Sequence, residues 1–140
     1  MVIVQMYLQP FEKADDFLNE VFHRHAVKND IAENISRQSI IAYEGSKIVG
    51  AITFILFYGE AYIDDFAVFE EYRHKGIGSK LIKEVENYCK QRGVSHISLN
   101  TYEFQAPEFY KKQGYKVEYI RKSKIRQELD RYYFIKYLHT

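Results

Sequence analysis

At 140 residues the chain is long enough for one compact domain with a sizeable core and too short for two. Its 46% hydrophobic and 28% charged residues are an ordinary globular balance, which excludes a disordered chain. The formal net charge of +1 gives no reason to expect nucleic acid or a membrane as partner, and no apolar run approaches the roughly 20 residues that span a bilayer. A single cysteine, Cys89, fits a reducing compartment. Met1 to Met6 lacks the charged start of a signal peptide, so a cytoplasmic location is expected.

Val2 to Leu8 is rich in β-formers and reads as a first strand, ended by Pro10. Phe11, Ala14, Phe17, Leu18, Val21 and Phe22 recur at helical spacing, and a short second helix is expected over Asp30 to Ser36. Gln38–Tyr43 and Ile48–Tyr58 flank Glu44-Gly45-Ser46-Lys47 and read as a hairpin, with Ala61–Phe69 as a third neighbouring antiparallel strand. Ile77, Leu81, Ile82, Val85 and Tyr88 then lie on one face of a helix from Gly76 to about Arg92, closed by Gly93. Val94–Thr101 is a strand. Ala106–Gln113 is a short helix with Pro107 in its first turn and Gly114 past its end. Tyr115–Arg121 and Arg131–Leu138 close the chain as a strand pair. The order implies a mixed α/β sheet, largely antiparallel, with helices on both faces and one strand-helix-strand unit in its middle.

The stretch Val68-Phe69-Glu70-Glu71-Tyr72-Arg73-His74-Lys75-Gly76-Ile77-Gly78-Ser79 runs from a strand through a basic, glycine-containing loop straight into a helix. Such a helix start offers unpaired N–H groups and the positive end of the helix dipole. Gly76 and Gly78 leave the backbone open to an anion, Arg73 and Lys75 add charge, and the Ser79 hydroxyl can donate. These features describe a pyrophosphate cradle. The spacing is neither a Walker A loop nor the dinucleotide glycine pattern.

Arg73-x-x-Gly76-x-Gly78 resembles the acyl-CoA motif of the GNAT superfamily of N-acyltransferases. About thirty residues on, Ala106-Pro107-Glu108-Phe109-Tyr110-Lys111-Lys112-Gln113-Gly114-Tyr115 is similar to that superfamily's Ala-x-x-x-Tyr-x-x-x-Gly-Phe helix. The resemblance covers essentially the whole chain and is most specific from Ile63 to Tyr115. It implies one GNAT domain over residues 1–140, with a mixed, mostly antiparallel sheet of six or seven strands and a splayed parallel pair that binds CoA. It implies an N-acetyltransferase passing acetyl from acetyl-CoA, without a metal, to an amine of a small molecule or peptide by direct attack. A non-catalytic acyl-CoA-binding regulatory module is the alternative.

The resemblance also implies roles for single residues. Main-chain groups of Phe66, Ala67 and Val68 would meet the pantetheine arm, and the amides of His74, Lys75, Gly76, Ile77, Gly78 and Ser79 the pyrophosphate, with Arg73 at the loop entrance. Tyr110 falls where many members carry the acid for the departing thiolate; the other reading is a packed aromatic. The base is open between Asp64, Asp65 and Glu103. Asp64 and Asp65 are adjacent on one strand, so only one faces a cleft unless a bulge re-aims the other. Glu103 stands where members often carry Asn. The acids from Glu60 to Glu71, with no base among them, favour a cationic acceptor.

Other features are read as structural. His23 and His25 lack further ligands for a metal, Cys89 is read as partly buried and inert, and the basic run Arg121–Arg126 as a solvated hairpin loop. Tyr132, Tyr133, Phe134 and Tyr137 on the last strand are expected to pack or to join two copies in a homodimer.

Overall fold

The computed structural model describes residues 2–139; Met1 and Thr140, the outermost residues of the expected domain, lie outside the described residues. The chain divides into two compact units, one ending at Glu33 and the other beginning at Asn34.

The first unit holds α1 (Glu12–Lys28), with Glu12 and Asp15 in its first turn and Lys28 in its last, each sign complementing the helix dipole. Two expectations fail here. Val2–Leu8 forms no strand, because a β-prone run becomes one only where a ladder partner is present. Asp30–Ser36 forms no helix: Asp30 (φ 57°) and Asn34 (φ 48°) are left-handed, and Ser36 already begins the next strand.

The second unit is one sheet of six strands with two α-helices. The strands are β1 (Ser36–Glu44), β2 (Lys47–Phe57), β3 (Glu60–Val68), β4 (His96–Tyr102), β5 (Lys116–Arg121) and β6 (Arg131–Tyr137). Their order in the sheet is β1-β2-β3-β4-β6-β5, and every neighbouring pair is antiparallel except β3–β4. This is the mixed, mostly antiparallel architecture expected. β6 lies between β4 and β5, so its edges are already paired and cannot join a second copy by strand addition. Of its aromatics, Tyr132 stacks on Phe134 at 6.2 Å and Phe134 is fully buried, while Tyr137 is exposed.

The helices α2 (Ile77–Gln91) and α3 (Glu108–Lys112) follow β3 and β4. α2 buries Leu81, Ile82, Val85, Glu86 and Cys89, one stripe of an amphipathic helix, against Ile52, Phe54, Ala61, Ile63, Ile97 and Phe134 of the sheet. Burial pushes the Cys89 thiol up to about 11, so it stays protonated and inert. α3 ends in a Schellman closure: Tyr115 N–H donates to the Tyr110 carbonyl at 3.0 Å and Gly114 N–H to Lys111 at 3.0 Å. Gly114 supplies the left-handed turn (φ 91°) that this closure requires.

The parallel ladder is short. Only Ala61↔Ile97 and Tyr62↔Ser98 pair, after which β3 and β4 diverge toward their C-terminal ends. β2 and β3 stay paired to Gly50↔Val68, but the register slips between Thr53↔Asp65 and Phe54↔Ile63. The extra residue, Asp64, is a β-bulge.

Phe54 is fully buried and meets Tyr88 of α2 edge-to-face at 5.4 Å. Phe54→Ala is expected to lower unfolding free energy by about 3–5 kcal/mol, as measured by denaturant titration. A loss below about 1 kcal/mol would contradict this packing.

Candidate active site

The divergence of β3 and β4 opens a cleft beside the start of α2. Gly76 caps that helix in the left-handed region (φ 79°), preceded by left-handed His74 (φ 64°), and no side chain caps the helix. The first helical bond runs from Lys80 N–H to the Gly76 carbonyl at 3.1 Å, leaving Ile77, Gly78 and Ser79 N–H without a helical acceptor. These residues, with Arg73 and His74, line a cavity of about 780 Å³ whose other walls are Phe66, Ala67, Val68, Phe109 and Tyr110. Free amides at the positive end of a helix form an anion site. A Cβ on Gly78 would already touch Phe66 and Phe109 at 3.4 and 3.5 Å, and both rings line the same cavity, so a large side chain there competes for the cavity's space.

The strand wall offers backbone as well. Phe69 N–H donates to Val49 across β2, at 3.0 Å. By alternation Ala67 also faces β2, while Phe66 and Val68 turn their amides to the unpaired side. Arg73 Nε donates to the Val68 carbonyl at 3.1 Å, which pins the loop to the strand end.

A smaller, more polar cavity of about 380 Å³ adjoins the first, lined by Tyr62, Asp64, Asp65, Asn100, Thr101, Tyr102 and Arg131 among others. Phe66, Gln105 and Tyr110 line both cavities. Asn100 Nδ2 donates to Tyr62 Oη at 2.7 Å, bridging the two diverging strands. Tyr110 is packed by Phe66, Phe109, Tyr115 and Phe134, and burial pushes its phenol up to about 12. It is therefore a proton-bearing donor at neutral pH.

The Acetyltransferase (GNAT) family model matches residues 3–115. The chain belongs to this family. It is 35% identical over 88 residues to the uncharacterized N-acetyltransferase YjcF of Bacillus subtilis, a match spanning 63% of this chain and 61% of that protein. It is 27% identical over 112 residues to the spermidine N(1)-acetyltransferase of Thermoplasma acidophilum, covering 76% of this chain and 70% of that one. The crystal structure of an acetyltransferase from Bacillus cereus superposes with a TM-score of 0.80 at 26% identity, over 96% of this chain and 97% of that one.

Most of the residues expected in the GNAT site lie together. Phe66, Ala67, Val68, Arg73, His74, Gly76, Ile77, Gly78, Ser79 and Tyr110 share the larger cavity. Lys75 does not line it: its Nζ sits 5.1 Å above the Tyr72 ring. Asp64 and Asp65 both line the smaller cavity, because the bulge at Asp64 re-aims one of them. Glu103 lines neither cavity; its N–H donates to the Asp130 carbonyl at 2.8 Å. Tyr62, Asn100, Tyr102 and Arg131 were not singled out from the sequence, since neither the Tyr62–Asn100 bridge nor the place of β6 beside β4 leaves a local signal.

A part-buried polar chain ties the start of α2 to α3 and β6. Lys136 Nζ reaches both Glu86 oxygens at 3.1 Å and the Gln113 carbonyl at 2.8 Å, and Tyr115 Oη donates to Glu86 at 3.0 Å. Gln113 Nε2 in turn donates to Ser79 Oγ at 2.9 Å, leaving the Ser79 proton free. Lys136→Met strands the Glu86 carboxylate in the core. We expect it to cost about 2 kcal/mol in denaturant titrations, less than a fully buried pair because Lys136 is partly exposed. Adding Glu86→Gln is expected to recover most of that loss, and no recovery would contradict the pairing.

Proposed function

We propose that residues 1–140 act as one cytoplasmic acetyltransferase domain. It binds acetyl-CoA in the larger cavity and acetylates an amine, of a small molecule or peptide, held in the smaller one. The observation that carries this reading is the meeting of the two cavities at Tyr110: one side offers an anion cradle, the other two carboxylates. The relative named for spermidine acetylation supports an amine as acceptor.

Acetyl-CoA would supply a thioester whose acyl carbon bonds to the amine nitrogen as its C–S bond breaks; the nitrogen then sheds a second proton, which ends on the departing sulfur, giving an amide and the CoA thiol. The free amides of Ile77, Gly78 and Ser79, with Arg73, would hold the pyrophosphate. The Phe66 and Val68 amides would hold the pantetheine and polarise the acyl oxygen. Asp64 or Asp65 would take the proton of the arriving ammonium. Tyr110 would donate to the departing sulfur. With a pKa of about 12 it lies well above an ordinary thiol near 8.5, so it serves the sulfur mainly as a hydrogen-bond donor.

Gly78→Trp fills the cradle and is expected to weaken acetyl-CoA binding by at least ~100-fold in calorimetry while the protein stays folded; unchanged affinity would remove the cradle from the account. Tyr110→Phe is expected to slow CoA release ~100-fold with acetyl-CoA affinity nearly unchanged. Because the Tyr110 proton stays on until about pH 12, parent and variant should share one pH profile between about pH 6 and 10. A limb of the profile that vanishes in Tyr110→Phe would contradict the raised phenol. Acetyl-CoA binding without CoA release from any amine would leave a binding module in place of an enzyme.

A further inference from the structure

We propose that the acceptor carries a carboxylate as well as its amine, and that Arg131 binds that carboxylate. The inference rests on the acetyl-transfer reading and names the substrate class of the same site. Arg131 opens β6 and lines the smaller cavity together with Asp64 and Asp65, yet none of the described carboxylates lies within salt-bridge distance of its guanidinium. Its neighbours are rings: Tyr102 at 4.9 Å and Tyr133 at 6.0 Å from the guanidinium carbon. Aromatic faces hold the plane of a guanidinium, and the Tyr133 hydroxyl stands close enough to accept one of its five hydrogens, but a ring face is no conventional acceptor for the others. Arg131 Nε is buried and has no acceptor among the described residues.

A buried donor without an acceptor is costly, and most such groups in folded proteins are satisfied. Here the acceptor would be the ligand. A planar fork of N–H groups matches a carboxylate in two parallel bonds, better than it matches a hydroxyl or an amide. The fork is also rigidly mounted. Asp130, the preceding residue, accepts from Lys122 Nζ at 3.1 Å and Ser123 N–H at 2.8 Å, and its carbonyl from Glu103 N–H at 2.8 Å.

The smaller cavity thus presents charges of both signs: Asp64 and Asp65 for an ammonium, Arg131 for an anion. A polyamine has nothing to offer Arg131 and would bring further positive charge toward it. At about 380 Å³ the space is at the small end for ligand pockets, which suits an amino acid or a similar small zwitterion.

The test compares the twenty common α-amino acids, each beside its own carboxamide, by calorimetric binding and by CoA release with acetyl-CoA. At least one amino acid is expected to bind ~10-fold or more tightly than its carboxamide, because the amide leaves the fork unpaired. Arg131→Gln is expected to abolish that preference and to raise KM for the amino acid by ~10–100-fold with a much smaller change in kcat. Arg131→Lys, which keeps the charge but loses the fork, should recover only part, and it serves as the second variant should Arg131→Gln not fold. Equal binding of acids and amides, a preference that survives in both variants, or turnover confined to amines without a carboxylate would overturn the proposal. CoA release from no amine would overturn acetyl transfer instead, while the binding comparison still decides the carboxylate.

Discussion

Everything at this site depends on where the β3–β4 ladder stops. Two residue pairs hold the parallel strands together, and beyond Tyr62↔Ser98 nothing in the backbone does. Unpaired strand amides are normally a liability, since each lacks a partner that the sheet would have supplied. Here they face a cleft at the C-terminal ends of the strands, where open sheets with crossover helices commonly place ligands. The Tyr62–Asn100 bond closes the divergence just above the last paired residues and keeps the gap at a set width.

The second constraint is that the cleft must hold one shape while presenting unsatisfied groups. α2 has no N-terminal cap of its own, a local cost that helix starts usually avoid. Its position is instead enforced from below. Leu81, Ile82 and Val85 anchor it in the core, and the chain from Glu86 through Lys136 and Gln113 to Ser79 ties its first turn to α3. The same short helix carries Tyr110, whose carbonyl is fixed by the closure at Gly114 and whose ring is packed on several sides by aromatics. Cradle and phenol therefore sit on one connected framework, so a change in one is felt at the other.

Much of this was legible in the residues themselves. Strong periodicity gave α2 and the six strands to within one or two residues, and Gly93 and Gly114 marked both helix ends because closures of that kind need φ above zero. The basic glycine loop was readable for the same reason: strand, Gly76, Gly78 and helix start are contiguous in the chain. Two local expectations failed where local preference had nothing to back it. Val2–Leu8 has strand-forming residues without a ladder partner, and two left-handed residues interrupt Asp30–Ser36. The smaller cavity was the least legible part. Its walls come from β3, β4 and β6, and the bulge that brings Asp64 and Asp65 to one cavity is a property of pairing with Thr53 and Phe54 rather than of the acids. Arg131 read only as the first residue of the last strand and proved to line the same cavity as the two acids.

The central claim is that the open amides at the start of α2 and along the end of β3 bind acetyl-CoA. The direct measurement is a titration of isotope-labelled protein with acetyl-CoA, followed through backbone amide resonances. The account predicts that the largest shifts fall on the amides of His74, Gly76, Ile77, Gly78 and Ser79 and on those of Phe66 and Val68, with smaller ones on Asp64 and Arg131. Saturable binding that leaves those amides unmoved and shifts another surface would contradict it.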